Sequence, residues 1–504
     1  MEPRLDAPRL KSLGVSDVFF WRGYKMSQDS LAFLKRLDSE WKLEAKEEDI
    51  KYFYHTEETT SILKGDKNMI IGRKGEGKTA IATFIHKNVG AGAYADKLSF
   101  KNFPFNSIYN YSDNRYSKPS QYTTFWKYLI YVSICKQMVH DNNIDSKIRD
   151  KLIKLFPEKN STKRLKNLIP KITIKDFGLQ VIGAGFNVGI DRENHEIGWI
   201  DIVDILEEQI LENVTNDSKY YIIFDELDED YKDFTSSEEE KDYFDLITGL
   251  FKAINETRNT FQNEELFIYP IVFLRSDIFQ RITYSDKNKW SDYIINLEWT
   301  SEKLRSLIQF RINVLTNSQS KNFQQAWGKL VLNREVKMGK NQNSKMSIID
   351  YILRSTHNRP RDVIKYLKEA SKIATRNNHD KIGPLQIKEA DGSFSEYMKQ
   401  EIIDEIYSVL PEYNEIFSIL SIIRKQTFNP KEFVEAYQDK VRNQKFENRG
   451  AEDVLKILFD FSIIGNVPSM NTRSIFKYEN ESARFNFREN IQVHRGLYKA
   501  LQIF

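Results

Sequence analysis

The chain holds a single cysteine, Cys135, in 504 residues. One thiol excludes an internal disulfide framework and any cysteine-rich zinc site, and Cys135 is expected to pack as a small hydrophobe. Net charge is almost absent: 75 Lys and Arg stand against 72 Asp and Glu, leaving +3. No basic tail of the kind that grips nucleic acid is present, although a local patch stays open. Long apolar runs are missing too. The longest, 125–139, is broken by Lys127 and Lys136 and is too short to span a bilayer. The opening Met1-Glu2-Pro3-Arg4 leads into no apolar segment of a signal peptide, so a soluble, cytoplasmic chain is expected. Internal repeats and low-complexity tracts are also lacking. The length calls for two to four domains, and an apolar content of 40% suffices for real cores.

What the chain does have is Met69-Ile70-Ile71 followed by Gly72-Arg73-Lys74-Gly75-Glu76-Gly77-Lys78-Thr79-Ala80. This fits G-x-x-x-x-G-K-[ST], between an apolar strand and a helix that carries Ile81, Phe84 and Ile85 at helical spacing. Glycines let the backbone fold so that N–H groups converge on phosphate oxygens at a helix N-terminus. Lys78 is expected to reach the β- and γ-phosphates of a nucleotide, and Thr79 to ligate Mg²⁺. The bland alternative is a Gly-rich turn before a helix. Glu76 is odd, a carboxylate in a phosphate cradle, and it is expected to point outward to escape like-charge repulsion.

Upstream, 1–58 reads as a mostly helical lead-in. Asp29 or Ser30 can cap a helix carrying Leu31, Leu34, Leu37 and Trp41. The aromatics Phe19, Phe20, Trp21, Tyr52 and Tyr54 either stack on a base or, preferably, pack in a core. After the loop, 105–111 alternates like a strand, 122–139 and 148–156 read as helices, and 172–190 reads as a hairpin around Gly183-Ala184-Gly185. The span from about 112 to 200 is an expected insertion, for partner contact or simple elaboration. Then Tyr220-Tyr221-Ile222-Ile223-Phe224 leads into Asp225-Glu226-Leu227-Asp228, a buried strand ending in two acids. Asp225 is expected in the Mg²⁺ shell and Glu226 at the attacking water, against a plain acidic turn. Residues 228–230 are expected on a solvated face. A further strand, 266–274, ends in Arg275-Ser276-Asp277. Arg275 either bridges phosphate oxygens or is bound to Asp277 or Glu226.

From 301 the pattern turns helical to about 378, with His357-Asn358-Arg359-Pro360-Arg361-Asp362 inside it. Pro360 suits a helix start, which leaves Arg361 either swinging onto a nucleotide or lying on the surface. Gly392-Ser393 is an expected linker. Helices at 401–410, 414–424, 430–441 and 451–461 precede strand-like 463–466, 474–478 and 484–488, a winged-helix pattern. Its Arg473, Lys477, Arg484 and Arg488 could meet nucleic-acid phosphates. The expected domains are therefore a lead-in, a P-loop core at 59–300, a helical lid at 301–392 and a winged-helix-like domain at 393–504.

In its order of motifs, GRKGEGKT, IIFDELD, VFLRSD, NRPRD and a winged helix, the chain resembles the STAND and origin-recognition-like branch of AAA-type P-loop ATPases over 59–504. It looks most like bacterial single-chain ATPases of phage-defence loci. The resemblance implies a five-stranded parallel α/β sheet with one strand between the P-loop strand and the acidic strand. It implies sensor roles for Arg275 and Arg361, which with Lys78 and Glu226 complete the catalytic set. It also implies ATP and Mg²⁺ as ligands, and ATP-dependent assembly or switching, homo-oligomers included. No effector or repeat-sensor domain is recognisable, so an effector or sensor protein on a separate chain is expected. The other readings are a DNA-engaging loader or remodeller that uses its winged helix, and a scaffold that holds nucleotide.

Overall fold

The computed structural model describes residues 30–100, 118–156, 199–228, 237–284, 287–339, 343–443, 449–469 and 473–503. The expected strand at 105–111, the hairpin around Gly183-Ala184-Gly185, residues 229–230, and Phe19, Phe20 and Trp21 lie outside them. The chain divides into two compact units, His55–Glu298 and Met1–Tyr54 together with Trp299–Phe504.

The first unit is built on five strands: β1 (Met69–Gly72), β2 (Ala93–Ser99), β3 (Lys219–Asp225), β4 (Phe267–Arg275) and β5 (Ile294–Asn296). Their order is β2-β3-β4-β1-β5, and every pairing is parallel. Parallel strands are covered on both faces, so they read as unbroken apolar runs. Met69, Ile70 and Ile71, and Ile222 to Phe224, are accordingly buried. One strand, β4, separates β3 from β1, as the resemblance implied.

Two sequence features are explained by position in this sheet. Pro270 sits in β4, where a missing N–H should break a ladder. The N–H of Val272 donates to Asn68 O at 2.9 Å. Pro270, two residues earlier, faces the same side before β1 has begun, so no ladder bond is lost. The strand beside β3 is Ala93–Ser99, which the sequence pattern did not reveal. Lying at the edge of the sheet with mostly half-buried side chains, it carries Asp96 and Lys97 in place of an unbroken apolar run.

Three helices organise this unit: α1 (Lys78–Asn88), α2 (Lys118–Met138) and α3 (Ser237–Asn263). Trp126 of α2 is fully buried, and its indole N–H donates to Leu246 O of α3 at 2.8 Å. Cys135 is buried in the same cluster, with its thiol pushed up to about 12 by burial.

The second unit is mainly helical. The helix 30–40 buries Leu34 and Leu37, and Trp41 follows it into the core. Tyr52 is fully buried in that core, with its ring edge-on to Trp41. The expected all-helical run 301–378 is interrupted by a hairpin, β6 (Glu335–Met338) and β7 (Ser344–Ser347). Beyond it come α4 (Pro360–Arg376) and α5 (Pro384–Ile406). Gly392 and Ser393 lie in the middle of α5, so they are not a linker. Apolar side chains on both sides of the glycine, Ile387, Ala390, Phe394 and Met398, are buried, and their packing outweighs the roughly 1 kcal/mol that glycine costs a helix.

The last part runs α6 (Tyr413–Ile423), β8 (Thr427–Phe428), α7 (Pro430–Asn443), α8 (Ala451–Asp460), β9 (Ile464–Val467) and β10 (Asn490–Val493). The sheet order β8-β10-β9 is antiparallel. Helix, strand, two helices and a closing hairpin make a winged helix. Its closing strand is Asn490–Val493, not 474–478 or 484–488. Of those two, Ile475 makes only an isolated bridge to Asn466. Ile491 and Val493 bury into the core, whereas 484–488 is held to Asn466 through Asn486.

Candidate functional site

Parallel pairing aligns the carboxyl ends of four adjacent strands. Ser99 lies opposite Asp225, and Gly72 opposite Arg275. Open α/β sheets bind ligands at that edge.

The loop after β1 is shaped by its glycines. Gly75 and Gly77 have φ of 84° and 98°, in the left-handed region that β-carbons disfavour. Gly77 is also the N-cap of α1, and no side chain caps it. The first amides of α1 are therefore not taken up by a capping side chain, an arrangement that suits an anion. Lys78 folds back over the loop, where its Nζ donates to Gly72 O at 2.7 Å and Arg73 O at 2.9 Å. Burial lowers its pKa; Asp228, Glu76 and Asp277 oppose that shift, while Arg275 adds to it. Those charged groups thus converge on the lysine.

Glu76 does not point outward. It is 3% exposed, and its Oε2 accepts the Arg73 N–H at 2.6 Å. Its Oε1 lies 2.8 Å from both Nε and Nη2 of Arg73. The carboxylate is neutralised inside the loop by the preceding arginine, so repulsion from a ligand is removed by pairing rather than by orientation. A β-carbon on Gly72 would stand 3.0 Å from Glu76 Oε2, so Gly72 makes room for this clasp.

Asp225 ends β3 and is almost fully buried. One oxygen takes the Thr79 hydroxyl at 3.4 Å, and the other lies 2.7 Å from Lys97 Nζ. Burial raises the Asp225 pKa and Lys97 opposes the rise. Glu226 follows with a φ of 63°, a strained conformation for a residue with a β-carbon. Its carboxylate accepts the Ser99 hydroxyl. Lys97 and Ser99 were not foreseen. The available signal was two polar residues at alternate positions near the end of a strand, which put both on one face.

Arg275, 4% exposed, is bound to Asp277 through Nε at 3.0 Å and Nη2 at 2.6 Å, with Asp228 3.6 Å from Nη1. Asp228 therefore takes part in the cluster rather than belonging only to a solvated face. Arg361 belongs to the other unit, where it opens α4 and pairs with Glu44 at 3.2 Å and Glu401 at 3.4 Å. In the same motif Arg359 is a buried partner of Glu405.

Among the described residues no cluster of three or more His, Cys, Asp or Glu could hold a metal by itself. Thr79 and Asp225 nevertheless fit Mg²⁺, which usually takes one or two protein oxygens and shares the rest with phosphates and water. The Lys97 ammonium on Asp225 shows that the carboxylate accepts a cation there. No helix of the described residues is long and apolar enough to cross a membrane.

A family model described as the FunZ-associated C-terminal helical domain matches residues 302–403. No curated protein matches the chain. Among solved structures, the chain is similar to the ORC2 protein of Aeropyrum pernix in its ADPNP-ADP complexes, at 14% identity over 87% of each chain with a TM-score of 0.38. It is also similar to Cdc6p of Pyrobaculum aerophilum, at 10% identity over 88% of this chain and 91% of that one, with a TM-score of 0.27. For Drosophila ORC bound to DNA the identity is 11%, over 100% and 96% of the two chains, with a TM-score of 0.29.

Proposed function

We propose that this chain is a regulatory ATPase that binds ATP with Mg²⁺, hydrolyses it, and passes the nucleotide state to a partner protein. The observation that carries the reading is the convergence of the uncapped α1 start, Lys78, Asp225, Glu226 and Arg275 on one edge of a parallel sheet. In this reading the loop residues Gly72 to Ala80 cradle the phosphates and Lys78 leaves its carbonyl partners for phosphate oxygens. Thr79 and Asp225 hold Mg²⁺, which neutralises charge on the phosphates. Glu226, held by Ser99, orients and deprotonates the attacking water. Arg275 senses the γ-phosphate.

The working partner is a protein on a separate chain, or further copies of this one. The order of motifs supports a place for this switch in a bacterial anti-phage defence system. The DNA-engaging alternative has less support. The exposed side of α8, the third helix of the winged helix, carries Glu452, Asp453 and Asp460 against Lys456. Such a face repels phosphate.

The test is titration of purified protein with ATP and ADP in Mg²⁺, followed by phosphate release. Saturable ATP binding with slow turnover is expected; no binding to either nucleotide would refute the assignment. Phage plating on cells that carry the intact locus, beside cells with Lys78→Ala, tests the defence role. Equal plaque counts would remove it.

A further inference from the structure

Lys97 stands on the edge strand β2, two residues before Ser99 and on the same face. Its ammonium lies 2.7 Å from Asp225 Oδ2 and 3.4 Å from Thr83 Oγ1. The side chains of the pair are 11% and 3% exposed, so the contact is largely removed from water. Thr83 is one helical turn beyond Thr79, and the Thr79 hydroxyl addresses the other oxygen of Asp225. A cation thus already sits on the carboxylate that a nucleotide-bound metal would need.

We propose that Lys97 is a tethered competitor for the divalent-cation position on Asp225, which sets how much Mg²⁺ the chain requires before it retains nucleotide. The inference rests on the nucleotide-binding reading above. A buried carboxylate stripped of its partner is costly, so the ammonium leaves Asp225 only when another cation replaces it. One flexible four-carbon stem permits that exchange, and the Thr83 hydroxyl offers the released ammonium an acceptor on α1. A lysine that instead stayed in place as a permanent substitute for the metal would make nucleotide binding indifferent to Mg²⁺.

The experiment is fluorescence titration with N-methylanthraniloyl-ATP at a series of Mg²⁺ concentrations, with an EDTA control, for the wild-type chain, Lys97→Met and Lys97→Arg. Lys97→Met should lower the half-saturating Mg²⁺ concentration about tenfold, the factor expected from removing a modest charge competitor. Lys97→Arg keeps the charge and should keep the high requirement. If circular dichroism shows that Lys97→Met does not fold, Lys97→Gln is read in its place. An unchanged or raised Mg²⁺ midpoint in the neutral variant overturns the inference while leaving nucleotide binding intact. Wild-type affinity that is the same in EDTA as in Mg²⁺ also overturns it. A wild-type chain that binds no nucleotide at any Mg²⁺ concentration overturns the parent reading and this one with it.

Discussion

Arg275 and Asp277 form a two-pronged pair at the tip of β4, Nε to Oδ1 at 3.0 Å and Nη2 to Oδ2 at 2.6 Å. The arginine is therefore already held when it meets a ligand, in a fork that matches carboxylate and phosphate alike. A γ-phosphate would have to share or displace Asp277. Arg275→Ala should weaken ATP more than ADP, by about tenfold to a hundredfold for a charge-assisted contact of about 1.5–3 kcal/mol. Arg361→Ala should act in the same direction if it serves the nucleotide. Calorimetric titration of both nucleotides against both variants decides. An ATP/ADP ratio that survives both changes assigns these arginines to structure alone.

Lys78→Ala should abolish ATP binding or reduce it severely, because it removes the ammonium now held by the Gly72 and Arg73 carbonyls. Unchanged ATP affinity in a folded variant would place the nucleotide elsewhere.

Glu226→Gln keeps shape and the Ser99 contact but removes the base. ATP should still bind, while turnover should fall by about a hundredfold or more. Steady-state phosphate release beside equilibrium binding separates the two effects. Hydrolysis at the wild-type rate would mean another group activates the water.

Arg359 and Glu405 bury a second two-pronged pair, at 2.7 and 3.0 Å. Arg359→Met leaves Glu405 without its charge partner and should cost about 3–5 kcal/mol of stability. Urea denaturation measures it. A loss under 1 kcal/mol, about the worth of an exposed pair, would show that the pair is open to water in solution.

His494 is fully buried, with its pKa lowered to about 3 by burial and then by Arg495. Its Nδ1 accepts the Gly496 N–H at 3.2 Å, which only the neutral ring can do. The unfolded chain takes up this proton first, so the contribution is whole above about pH 6.5 and is lost as pH falls toward 3. Asp362 works in the opposite sense. Its pKa is raised to about 6 by burial, so its charge costs stability above that pH and the cost is relieved toward pH 4. The difference between wild type and His494→Asn, not the wild-type curve, therefore reads the histidine. Asn can still accept a backbone N–H two residues on. The urea midpoint of His494→Asn should fall less than that of wild type between pH 6.5 and 4. Parallel curves would refute the neutral buried ring.

Local patterns were enough for the sequence to announce β1, its phosphate-type loop, β3 with Asp225-Glu226, β4 and the helical tail, since each is a contiguous run whose chemistry its neighbours dictate. The sheet order and the place of Pro270 depend on which strands lie alongside, which no single run encodes. Strand β2 stayed hidden because an edge strand needs less apolar sequence, and with it Lys97 and Ser99 were missed. Glu76 and the Gly392 helix misled for a different reason. The first finds Arg73 and the second finds a buried face, and pairing and packing outweighed the local preference. Only the tertiary structure brings Lys97 to Asp225, 128 positions apart in the chain, because a contact between distant residues is set by strand register and not by spacing.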